Sequence, residues 1–106
     1  MDINLKNNKG LLNNVHPAEV LEEEFLKPLG ITSYQLAKET NIPQTRISEI
    51  LKKRRSITCN TALKFAKYFG TTPQFWISLQ NSYDLEEENK RIQEELNCIK
   101  PHNLVL

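Results

Sequence analysis

Two cysteines, two histidines and three glycines are all that the 106 residues contain, and each shortage excludes a class of chemistry. Cys59 and Cys98 share no short spacing with each other or with His16 and His102, so the chain has neither a CxxC pair nor a zinc-ligand pattern. The thiols are expected to be reduced and structural, and no metal or cofactor is called for. Three glycines and five prolines are too few for a collagenous or low-complexity chain, and they form no glycine-rich phosphate loop. No apolar run approaches the ~18 residues of a membrane span. The opening stretch, MDINLKNNKGLLNNV, has lysines without the apolar run of a signal peptide, which predicts a cytoplasmic protein. A large charge of one sign is also missing: 14 Lys and Arg against 13 Asp and Glu leave +1, which at first sight speaks against a nucleic-acid partner.

What is present is a 39% apolar chain of one-domain length, able to bury about two-thirds of its unfolded surface. No segment alternates like a half-buried strand over more than four residues, so the class is all-α. Residues 1–15, with five Asn and one Gly, read as a flexible arm. Pro17 and four glutamates open helix 1, in which Ala18, Leu21 and Phe25 recur on one face; it is expected to end near Leu26, ahead of Pro28 and Gly30. Thr32 and Gln35 form a capping-box pair for helix 2, which buries Leu36 and Ala37 and breaks at Asn41. Pro43 opens helix 3, with Ile47, Ile50 and Leu51 inward. Thr58 caps helix 4, in which Ala62, Leu63, Ala66 and Phe69 are expected to point inward before Gly70. Thr72 and Pro73 start helix 5, where Phe75, Trp76, Leu79 and Tyr83 share helical spacing. Beyond Asp84 the composition turns acidic. Leu85, Asn89, Ile92, Leu96 and Ile99 keep a coiled-coil-like stripe, and Glu86–Lys90 and Glu87–Arg91 are i,i+4 pairs. Three parts follow: an arm (1–15), a helix-turn-helix domain (16–85), and an acidic C-terminal helix and tail (86–106).

The informative unit is SYQLAKETNIPQTRISEILKKRR, from Ser33 to Arg55. Two short helices crossing steeply need a small residue at the contact, supplied by Ala37, and apolar neighbours, supplied by Leu36, Ile42, Ile47 and Ile50. Gln44, Thr45, Arg46 and Ser48 are left on the outer edge of helix 3, followed by Lys52, Lys53, Arg54 and Arg55. A major groove admits one helix, in which Gln pairs with adenine, Arg with guanine O6 and N7, and a Thr methyl with that of thymine. The basic cluster suits phosphates, which fix register without reading sequence. A solvated hairpin face would look similar.

Three blocks separate these readings. HPAEVLEEEFLKPLGIT from His16, the helix-turn-helix running into RRSITCNTALKFAKYFG, and GTTPQFWISLQNSYDL from Gly70 resemble, in this order, the Xre or lambda-repressor-like class. Within that class they resemble the HigA-type antitoxins of bacterial toxin–antitoxin modules. The resemblance covers about residues 15–85. It implies a five-helix lambda-repressor-like domain with a C-terminal helical extension, a homodimer on a palindromic operator in its own promoter, and a HigB-type toxin that cleaves translated mRNA. It places Gln44, Thr45 and Arg46 at the base-reading start of the recognition helix, and Ser33 where helix 2 meets phosphate. Three positions depart from the family pattern. Lys53 stands for the usual Gly after helix 3, so that cap must change geometry or strain a non-Gly residue. Asn41 stands for the turn Gly, and Ala18 for the Gly of HPGE.

Phe75, Trp76, Leu79 and Tyr83 are candidates for a dimer interface, since a Trp beside a Phe on one short helix is hard to bury twice. Glu22, Glu23 and Glu24 on helix 1, and Glu86, Glu87 and Glu88 near the C-terminus, are candidates for meeting a basic toxin; a solvated face is the alternative. His16 is expected to cap a helix or sit in the core, because no nucleophile or metal motif accompanies it, and the chain does not read as an enzyme. The alternatives to an antitoxin are a free-standing Xre-type regulator and a pure protein-binding module. The charge is segregated along the chain. Residues 1–37 carry 3 basic and 5 acidic side chains, 38–67 carry 8 and 2, and 84–106 carry 3 and 6. The near-neutral total therefore conceals a positive block on and just after the recognition helix.

Overall fold

A computed structural model describes residues 14–102. The expected arm lies outside the described residues except for Asn14 and Val15. All regular structure among the described residues is helical. The first helix, α1, is continuous but not uniform: Pro17–Val20 is α-helical, Leu21–Leu26 forms a wider π-turn, and Lys27–Leu29 returns to α. It therefore passes the point where Pro28 was expected to stop it. A proline inside a helix collides with the carbonyl four residues back. Here the preceding turn is widened, with Lys27 N–H bonding to Glu22 O, five residues back, which makes room for the ring. Gly30, at φ +65°, then ends α1, with Ile31 N–H reaching back to Leu26 O.

Four further helices follow, α2 (Ser33–Thr40), α3 (Gln44–Leu51), α4 (Cys59–Phe69) and α5 (Pro73–Arg91), and then a short α6 (Gln93–Asn97). Thr32, Thr58 and Thr72 each accept a backbone N–H three residues on, which explains why α2, α4 and α5 begin where they do. Only half of the expected capping box forms, because the Gln35 side chain turns to Glu39 instead of back to Thr32. Asn41 takes the left-handed turn after α2.

Trp76 lies at the centre of the core, its ring centroid 4.9 Å from Phe25, 5.2 Å from Phe65 and 5.0 Å from Phe75. Its Nε1–H donates to Thr71 Oγ1, so the indole is buried without a polar cost. Leu21, Leu36, Ile47, Ile50 and Ala62 belong to the same buried cluster, each large side chain contributing about 1.5–3 kcal/mol by burial. Leu63 does not join them: it is exposed, and Phe65 fills the interior from α4. Helix α5 runs unbroken through residue 85, so the acidic extension is the projecting half of the helix that carries Trp76. Its ion pairs form at i,i+3, Glu87–Lys90 and Glu88–Arg91, rather than at i,i+4.

Candidate nucleic-acid interface

Helices α2 and α3 meet through Leu36, Ala37, Ile42, Ile47 and Ile50, all buried. That fixes which side of α3 faces out. Pro43 gives α3 no side-chain cap, and its carbonyl accepts the N–H groups of Arg46 and Ile47. The earlier N–H groups of Gln44 and Thr45 are left at the positive end of the helix dipole. The side chains of Gln44 and Thr45 are exposed, while Arg46 and Ser48 are half-buried. Ser33, at the start of α2, is also half-buried.

Lys52, Lys53, Arg54 and Arg55 form the loop after α3, all of them exposed. The missing glycine is resolved by strain. Lys53 itself adopts the left-handed conformation, φ +64°, while Arg54 N–H closes the cap on Glu49 O at 2.8 Å. Two of the four basic heads are held by carboxylates, Lys53 by Glu19 and Arg55 by Glu49, each at 2.8 Å. Among the described residues, Lys52 and Arg54 have no such partner.

Two residues that the sequence pattern did not single out shape this surface. Gln80 is buried on α5. Its Oε1 accepts the N–H of Ile57 at 2.8 Å, and its Nε2 donates to Asp84, which ties the end of the basic loop to the core. The legible signal was a polar residue one helical turn from Trp76, on the same face. Asn60, at the start of α4, accepts a hydrogen bond from Arg46 Nη1 at 3.3 Å, and no spacing rule links residues so far apart in sequence.

The other candidate residues fall elsewhere. Trp76 is enclosed by its own subunit and has no surface to offer a partner, whereas Phe75, Leu79 and Tyr83 stay partly accessible along α5. His16 caps α1, with Nδ1 accepting Ala18 N–H at 2.9 Å, and packs edge-on to Tyr83, with ring centroids 4.5 Å apart. Burial, and next the charge of Lys53, lower its pKa below 6.5, against smaller opposite effects of Glu19 and Asp84. Glu22 and Glu24 are half-buried and Glu23 pairs with Lys27, while Glu86, Glu87 and Glu88 line the exposed half of α5. Asn14 Nδ2 donates to Tyr83 O and Glu87, so the approach to α1 runs beside that acidic half. Cys59 and Cys98 are free and exposed, not packed in the core as structural thiols. No helix among the described residues is long and apolar enough to cross a membrane.

Comparison with known proteins gives a consistent result. The helix-turn-helix family model matches residues 23–76. Antitoxin HigA-1 of Vibrio cholerae is 37% identical over 87 residues, covering 82% of this chain and 82% of that protein. Among solved structures, an addiction module antidote protein of the HigA family from Coxiella burnetii is 42% identical with a TM-score of 0.78, covering 83% of this chain and 97% of the other. The antitoxin HigA of Pseudomonas aeruginosa, solved with the higBA promoter, is 29% identical with a TM-score of 0.81, covering 84% and 98%.

Proposed function

This chain belongs to the helix-turn-helix family of HigA-type antitoxins, and on that premise we propose that it represses its own operon and neutralises a HigB-type mRNA-cleaving toxin by binding it directly. The observation that carries the DNA half is the surface of α3 and its loop. An uncapped polar edge of Gln44, Thr45 and Arg46, on a helix whose other side is locked in the core, is followed in the adjoining loop by Lys52, Lys53, Arg54 and Arg55. A homodimer sets one α3 into the major groove of each half-site of a palindrome, about one helical turn apart. Gln44, Thr45 and Arg46 read bases; Ser33, Ser48 and the basic loop hold phosphates.

Phe75, Leu79 and Tyr83 supply the dimer contact from α5. The toxin is met by acidic side chains, Glu22, Glu23 and Glu24 or Glu86, Glu87 and Glu88, whose charge suits a basic ribonuclease. The role is a regulatory one, in the cytoplasm, and requires no catalysis by this chain.

A gel-shift titration on the DNA immediately upstream of the gene tests the first half: a salt-sensitive, sequence-specific shift is expected, and its absence would favour a pure protein-binding module. Co-purification with the product of the adjoining reading frame tests the second half. Replacing Glu22, Glu23 and Glu24 by Gln, or removing residues 86–106, should abolish capture in one case, and capture retained by both variants removes both acidic segments as the toxin-binding surface. A specific shift without a toxin partner would mark a free-standing regulator.

A further inference from the structure

The basic loop leaves α3 and returns to the core at Ile57, whose N–H is bonded to buried Gln80. Thr58 caps α4 immediately afterwards, and Thr61, one turn in, is fully buried. Asn60 is therefore exposed but held on a backbone fixed on both sides. Its Oδ1 meets Arg46 Nη1 from across the interface, at 3.3 Å.

Resting on the reading above that Arg46 contacts a base, we propose that Asn60 is a specificity-determining positioning residue that sets the guanidinium for base recognition. A free arginine samples many rotamers, and that freedom is lost on binding. The contact with Asn60 restricts it beforehand. It occupies only Nη1, leaving Nε and Nη2, which share the opposite edge of the guanidinium, free for a two-bonded contact to guanine O6 and N7. Asn60 is neutral, so it orients the cation without cancelling the charge that attracts DNA. This differs from the loop, where Glu49 and Glu19 hold Arg55 and Lys53 by charge.

The test is selection from a randomised duplex DNA pool, read by sequencing, with the full chain and its Asn60→Ala, Asn60→Asp, Arg46→Ala and double Ala variants. Arg46→Ala identifies the base pair that Arg46 reads by erasing preference there. Asn60→Ala is expected to reduce preference at that same base pair about three- to tenfold, the scale of one hydrogen bond, and to add nothing in the Arg46→Ala background. Asn60→Asp should keep the preference while weakening binding to every sequence, because a carboxylate still orients the guanidinium but repels phosphates. The proposal is overturned if Asn60→Ala weakens all sequences equally, with or without Arg46, which would make Asn60 a phosphate contact. It is also overturned if Asn60→Ala changes nothing. If Arg46→Ala itself leaves every preference intact, the base-reading assignment of Arg46 fails instead.

Discussion

Lys53 follows α3 in a left-handed conformation, φ +64°, and its Nζ lies 2.8 Å from Glu19 Oε2 on α1. The residue that carries backbone strain thus also links the basic loop to α1. Both side chains are about half exposed, so the ion pair itself adds little to stability. The strain is the larger effect, since a residue with a Cβ in this region costs roughly 1–2 kcal/mol.

Replacing Lys53 by Gly and by Ala separates the two effects. Both variants lose the ion pair, but only Ala keeps the strain. Lys53→Gly is expected to be more stable than Lys53→Ala by about 1 kcal/mol in urea unfolding. Equal midpoints would mean that the turn relaxes without glycine.

Gln80→Ala removes the acceptor for a buried N–H at Ile57. Leaving such a donor unpaired costs about 1–3 kcal/mol. The loss should appear as a lower urea midpoint, accompanied by faster amide exchange at Ile57, just ahead of α4, than in the unaltered protein. Unchanged exchange at Ile57 would show that another group of the protein takes over as its acceptor.

His16 makes stability depend on pH. Its Nδ1 must be unprotonated to accept Ala18 N–H, and burial and Lys53 lower its pKa below the ordinary 6.5. The unfolded chain therefore binds the proton first. The contribution of His16 is fully present above pH 6.5 and is lost as pH falls below 6.5 through the folded-state pKa. An NMR titration of the His16 ring should show a midpoint under 6.5, and His16→Asn, which keeps a capping oxygen, should flatten the fall in melting temperature between pH 7 and 5. A midpoint above 6.5 would reverse the sign.

In DNA binding, base and phosphate contacts should separate cleanly. Arg46→Ala is expected to cost about 1–3 kcal/mol on the preferred site and much less on random DNA. Arg54→Ala should weaken all sequences alike and flatten the salt dependence by about one phosphate unit. Glu49→Gln, which frees Arg55 from its carboxylate, should strengthen binding to all sequences. An unchanged salt slope for Arg54→Ala would remove that residue from the interface.

Much of this protein is determined by local sequence alone. Threonine caps at 32, 58 and 72, prolines at 17 and 73, and apolar residues at helical spacing fix α1, α2, α4 and α5 near their observed starts, because caps and periodicity act within one or two turns. The helix-turn-helix and its outward polar edge follow from the same local rules, as does the choice at Lys53 between strain and a new turn, although the outcome did not. Tertiary structure decided the rest. Pro28 continues a helix because the turn before it widens, and Trp76 is fully buried against Phe25 and Phe65 while its neighbour Phe75 stays partly accessible. Gln80 with Ile57, Asn60 with Arg46 and Glu19 with Lys53 pair residues from different elements. Such contacts depend on how the helices cross, so no spacing in the sequence announces them.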